Sequence, residues 1–157
     1  MIRRLLEKSI STLFSLLIFA WLSIGIHEQF HYLMANALGI KGGNVTFLLG
    51  GGFYHFPEGV SITATQDALV GLAGGIGTGL ALLVLWLVSN YQTRYTKWEL
   101  DDSFALLVVA IMQFAYAPFD AFARQSAAFG AALAAILGLA FAVFIYGKTM
   151  WVWLNED

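Results

Sequence analysis

Four stretches of this chain are each so long and so apolar that water is a poor solvent for them, and this restricts the folds open to it. They run from about Ile10 to Leu38, Leu69 to Val88, Ser103 to Phe122 and Ala127 to Trp153. Crossing a bilayer as an α-helix takes about 20 apolar residues, and a helix satisfies every backbone polar group within its own segment. Of the 157 residues, 59% are hydrophobic and 11% charged, against about 25% charged in an ordinary soluble domain. The expected fold is an all-α membrane protein: one bundle of about four transmembrane helices over residues 1–157, integral and multi-pass, with the lipid bilayer as partner and no soluble accessory domain. The opening Met-Ile-Arg-Arg and the Ala35-Asn36-Ala37 triplet resemble a secretory signal with its cleavage site. The apolar run is too long for one, however, and it contains His27, Glu28 and His31.

A formal charge of -2 argues against nucleic acid as a partner. There is no cysteine, so no disulfide or thiolate metal site can form, and any metal must be held by His, Asp or Glu. An assembly of identical chains is compatible with this composition.

Between the first two spans, Lys41 to Thr63 is too broken by glycine for a helix and too apolar for a plain solvated loop. Val45 to Leu49 and Phe53 to Phe56 read as two short strands around Gly50-Gly51-Gly52. The segment is either an interfacial loop or a small membrane-associated β-hairpin dipping into the membrane, where irregular backbone is acceptable only with protein or a water-filled cavity around it. Gly71, Gly75 and Gly79 line one helix face, and Gly130, Ala134, Gly138 and Ala142 line another, as small-residue stripes for close helix packing. The mixed-charge link from Asn90 to Asp102 reads as solvated. Trp86, Trp98, Trp151 and Trp153 fall near span ends, where interfacial aromatic belts form.

Chemistry enters with His27-Glu28-Gln29-Phe30-His31. Residues four apart on a helix face the same way, with Cβ atoms about 5–6 Å apart, so both imidazoles reach one ion. Glu28 then sits beside the metal without having to bind it, placed to take a proton from water acidified by the ion and pass it to a leaving amine. Ionisable groups inside a membrane helix cost about 3 kcal/mol each on insertion scales, so three within five residues need compensation. A helix end emerging at the interface, with hydrogen-bonded histidines and no metal, is the plainer alternative.

A catalytic zinc takes three protein ligands and keeps a fourth position open. Asp120, toward the end of the third span, is the leading candidate for the third, and His55, Glu58 and Asp67 compete with it. Asp120 could instead be an interfacial carboxylate paired with Arg124.

His27-Glu28-Gln29-Phe30-His31-Tyr32-Leu33-Met34-Ala35, the Leu38-Gly39-Ile40 and Gly50-Gly51-Gly52 segments, Ala73-Gly74-Gly75-Ile76-Gly77-Thr78 and Pro118-Phe119-Asp120 together resemble, in order, the site-2 protease family of intramembrane zinc metalloproteases. The resemblance implies Zn2+ as cofactor, held by His27, His31 and Asp120, with Glu28 as general base. It implies as substrate a membrane protein with a transmembrane helix, cut in or near that helix after local unwinding. The unwound segment would add to the hairpin at Val45, Thr46, Phe47 and Phe53, with Thr78 also gripping substrate. The chain departs from the family where Phe30 replaces a small residue, Gly75 a proline, Thr78 an asparagine and Ala121 a glycine.

Two other functions compete. Histidines and acids in a bundle also mark ion pathways in transport or channel proteins, but a transporter needs only ligands, whereas a hydrolase also needs a non-ligating base such as Glu28. A proteolytically inactive relative that binds transmembrane helices is the other. Arg3, Arg4, Lys8, Arg94, Lys97 and Lys148 lie on the N-terminal side, against Lys41 and Arg124 opposite, so the basic-residue bias places both termini in the cytoplasm. The family resemblance implies the reverse orientation. Both place the two termini on one face.

Overall fold

The computed structural model describes residues 2–48, 51–93 and 100–155. The elements in order are α1 (Ile2–Ala37), β1 (Asn44–Leu48), β2 (Gly51–His55), α2 (Ala64–Thr93), α3 (Leu100–Phe122), a 3-10 turn (Arg124–Ser126) and α4 (Ala127–Asn155). Among the described residues four helices are long and apolar enough to cross a membrane, and by length and composition they fit a multi-pass membrane protein. Large apolar side chains such as Phe14, Leu17 and Trp21 on α1 and Phe144 on α4 point outward, an arrangement that suits lipid and not water. Part of the polar link, residues 94–99 with Arg94, Lys97, Trp98 and Glu99, lies outside the described residues, as do Leu49 and Gly50.

Local chemistry sets the ends of the helices around the hairpin. After Ala37, Gly39 takes φ +81, its N–H donates to Asn36 O at 3.0 Å, and Ile40 N–H donates to Ala35 O at 2.8 Å. These are the two bonds of a Schellman stop, and the buried Ile40 packs on Ala35 to complete it. At the start of α2, Thr63 Oγ1 accepts from Gln66 N–H at 3.2 Å while Gln66 Oε1 accepts from Thr63 N–H at 2.9 Å, the reciprocal capping box.

The Schellman stop reverses the chain, and the antiparallel β1–β2 pair, in register Asn44↔His55 to Leu48↔Gly51, lies back along the second half of α1. Tyr54 stacks edge-on against Tyr32, and Phe47 touches Gly25. Gly52 rests against Ile24 and Glu28, roughly 14–20 Å before the end of α1 at 1.5 Å per residue. The two strands begin and end within a residue or two of the sequence expectation, and the hairpin is folded onto the bundle.

Helix α3 is the central element. Every residue from Ser103 to Ala110 is buried, and α3 contacts all three other helices. Both small-residue stripes are used as expected. On α2, Gly71 meets Ala121, Gly75 meets Ala117 and Gly79 meets Phe114. On α4, Gly130 meets Phe119 and Gly138 meets Val108 O. A polar set ties the opposite end of the bundle: Ser15 donates to Asp102, Ser89 and Ser103 lie 2.9 Å apart, and Trp86 donates to the Tyr146 hydroxyl at 2.7 Å. Trp86 thus bonds across to α4 within the bundle.

Candidate metal centre

Helices α1 and α3 build the site, and α2 lines it. On α1, Ser23, His27 and His31 recur every fourth residue and so share one face; all three are buried. On α3, Gln113 and Asp120 are two turns apart, on the face that meets them. Asp120 Oδ2 lies 3.1 Å from His27 Nε2 and 3.0 Å from His31 Nε2, and the two rings stand edge to face with centroids 4.6 Å apart. These three side chains offer ligand atoms that all fall within 4.8 Å of one another, a group that could hold a metal ion.

The donor chemistry fits a cation. His31 Nδ1 lies 2.6 Å from Val70 O, a backbone carbonyl that can only accept, so Nδ1 carries the proton. His27 Nδ1 lies 2.8 Å from Gln113 Oε1, likewise an acceptor. In neutral rings both Nε2 atoms therefore present lone pairs toward a carboxylate oxygen that also has only lone pairs to offer. Such an arrangement is repulsive unless positive charge lies among the three atoms. Two extra protons would place two imidazolium ions side by side in an apolar bundle, whereas one metal ion satisfies all three. Atoms around a small four-coordinate cation bound at about 2.1 Å stand about 3.4 Å apart, somewhat wider than the 3.1 and 3.0 Å that separate Asp120 Oδ2 from the two imidazoles.

The wall opposite is backbone. A Cβ built on Gly74 of α2 would lie 2.6 Å from His27 Nε2 and 2.5 Å from His31 Nε2, so at this position any side chain would occupy the space between the ligands. Asp120 is oriented from its other side: Arg124 Nε donates to Asp120 O at 2.9 Å and lies 3.8 Å from Asp120 Oδ1. Arg124 Nη2 also pairs with Asp67 Oδ1 at 3.0 Å. The pairing weighed for Asp120 and its placement beside the histidines thus coexist.

The competing ligands are elsewhere. Asp67 is engaged by Arg124, His55 is exposed and its Nε2 is 2.9 Å from Thr46 Oγ1, and Glu58 is exposed in the turn before α2.

A cavity of about 650 Å³ opens beside the three ligands, lined by all four helices and by β2. Glu28 is buried and lines it one residue from His27, and so do Tyr116 and Arg124. Gly52 of β2 closes over Glu28, where a Cβ would lie 3.4 Å from Glu28 Cδ and 3.2 Å from Ile24 Cγ2. Tyr54 also faces the cavity, and burial, with the neighbouring Tyr32, pushes its phenol above the ordinary range, so it stays protonated at neutral pH.

The residues expected to bind substrate fall in different places. Phe53 lines the cavity, but Val45, Thr46 and Phe47 do not: they belong to β1, and β2 is the strand laid over the site. Thr78 is fully buried in the helix packing with no hydrogen-bond partner for its hydroxyl among the described residues, and it is not part of the cavity lining. Two residues that the motifs do not single out also belong to the centre: Gln113 bonds His27, and Gly74 leaves room for both imidazoles.

Compared with protein-family models, characterised proteins and solved structures, the chain matches none of them.

Proposed function

We propose that the chain is an intramembrane zinc protease of the site-2 protease type, cutting a peptide bond in or near a transmembrane helix of another membrane protein. The observation that carries this reading is the pairing of a converging His27–His31–Asp120 group with a buried carboxylate, Glu28, that faces the same cavity without belonging to the group. A site that only bound or transported an ion would need the three ligands and no such neighbour.

His27, His31 and Asp120 would hold the ion. Bound there, zinc supplies a Lewis acid that polarises the scissile carbonyl and lowers the pKa of water toward neutrality. Glu28 accepts a proton from the attacking water as the water oxygen bonds to the carbonyl carbon, and delivers it to the amine nitrogen as the C–N bond breaks. Arg124 donates to the Asp120 backbone carbonyl and lies 3.8 Å from Oδ1, the carboxylate oxygen that does not face the histidines. A substrate helix hides its peptide bonds in its own hydrogen bonds, so it must unwind before attack. The hairpin, folded against α1 with β2 over Glu28, offers strand pairing to the unwound segment, and Phe53 offers an apolar contact.

The test is cleavage of a mixed set of single-span substrates by the detergent-purified chain. Wild type should cut at least one, and Glu28→Gln should keep its metal and lose about 10²–10⁴-fold in rate. Wild-type turnover in Glu28→Gln would show that the glutamate is structural or the site not hydrolytic.

A further inference from the structure

We propose that Gln113 is a positioning residue that fixes which nitrogen of His27 faces the metal, and that Ser23 fixes which way the Gln113 amide points. This rests on the metal-centre reading but not on proteolysis.

The inference follows from a chain of hydrogen bonds with one consistent direction. Ser23 Oγ lies 2.7 Å from Ala20 O, which can only accept, so the single hydroxyl proton is committed there. Toward Gln113 the serine oxygen can then only accept, and Gln113 Nε2 donates to it at 2.9 Å. An amide has a donor end and an acceptor end of almost equal shape. With its nitrogen held by Ser23, Gln113 presents Oε1 to His27 Nδ1 at 2.8 Å. His27 must therefore be protonated at Nδ1 and carry its lone pair on Nε2, the atom beside Asp120.

His31 receives the same instruction from the Val70 carbonyl, which no side-chain substitution removes. His27 depends on a side chain, and both members of that control are buried, Ser23 at 0% and Gln113 at 7% exposure. Helix α3 thus contributes twice to one centre, through Asp120 as ligand and through Gln113 two turns earlier as the group that orients the ligand opposite. Outer partners of this kind, holding the second nitrogen of a ligating histidine, typically change metal affinity by 10–100-fold when removed.

A buried Gln113–Ser23 pair could instead serve only to hold α3 against α1, and the experiment separates the two. The full chain in detergent is titrated with Zn2+ in competition with a chromophoric chelator, and with Co2+ to record the visible spectrum of the bound ion. Gln113→Met keeps the chain length and removes the acceptor; Gln113→Glu keeps an acceptor at His27 and loses the donor to Ser23. Gln113→Met should weaken zinc by about 10–100-fold and lose the four-coordinate Co2+ band, whereas Gln113→Glu should bind at least as tightly as wild type and keep the band. Ser23→Ala should fall between them, because the freed amide can turn its NH2 toward Nδ1. Wild-type affinity in Gln113→Met overturns the proposal, and so does an equal loss in Gln113→Met and Gln113→Glu, which would mark a packing role. A wild-type chain that binds neither ion would overturn the metal centre itself, a different result from either of these.

Discussion

Asp120 Oδ2 on α3 stands 3.0 Å from His31 Nε2 on α1, bringing together two residues that are far apart in the chain and costly in an apolar bundle. If this carboxylate is the third ligand, Asp120→Ala should lose the metal and His55→Ala should keep it, since His55 is exposed and bonded to Thr46. Metal content in the two variants, measured side by side, decides it. Loss in His55→Ala with retention in Asp120→Ala would show the hairpin imidazole to be the ligand.

Gly74 should be intolerant of even one methyl group. Its Cβ would lie 2.5 Å from His31 Nε2, and both imidazoles are pinned through Nδ1, so neither ring is free to swing aside. Gly74→Ala is expected to fold and to lose at least as much zinc affinity as removal of an outer partner, about 10–100-fold. Wild-type affinity in this variant would show that the rings can move and that the backbone wall yields.

Phe53 on β2 and Phe47 on β1 are similarly exposed at 53% and 54%, and of the two only Phe53 lines the cavity. Burying a phenylalanine against substrate is worth about 1.5–3 kcal/mol. Phe53→Ala should therefore lower kcat/KM about tenfold or more, chiefly through KM, while Phe47→Ala stays near wild type. The reverse order in a cleavage assay would return substrate docking to β1.

The stripe on α4 makes a prediction about stability alone. A Cβ on Gly138 would meet the backbone carbonyl of Val108 at 2.5 Å, and backbone cannot move aside as a flexible side chain does. Gly138→Ala should destabilise the bundle by about 1–3 kcal/mol, read as a lower thermal midpoint in detergent. Gly147 has only a 3.9 Å contact within reach, and Gly147→Ala serves as the neutral control.

The parts of this molecule legible in the sequence are those where the solvent dictates the answer. Apolar length marks the four helices, and the cost of burying charge singles out His27, Glu28, His31 and Asp120. The glycine and alanine periodicity on α2 and α4 likewise announces close packing. Gln113 carries a weaker signal of the same kind: it is a lone amide in an apolar span, on the face of Asp120, and Ser23 extends the four-residue spacing of His27 and His31. An amide costs less than a charge in lipid, so it draws less notice. Gly74 sits one residue off the Gly71–Gly75–Gly79 stripe, and only the approach of α2 to two imidazoles from another helix reveals its role. The two strands of the hairpin look equally suited to dock a substrate. Which one lies over Glu28 is decided by the Schellman turn at Gly39 and the fit of Gly52 against Ile24, and neither is a local property of the strands.

The central claim is a metal centre on α1 and α3, and elemental analysis of the detergent-purified chain tests it most directly. Wild type should carry about one zinc per chain, with His27 and His31 as two of the three ligands expected at a catalytic site. The His27→Ala, His31→Ala double variant should carry none. Metal content unchanged in that variant would contradict the account.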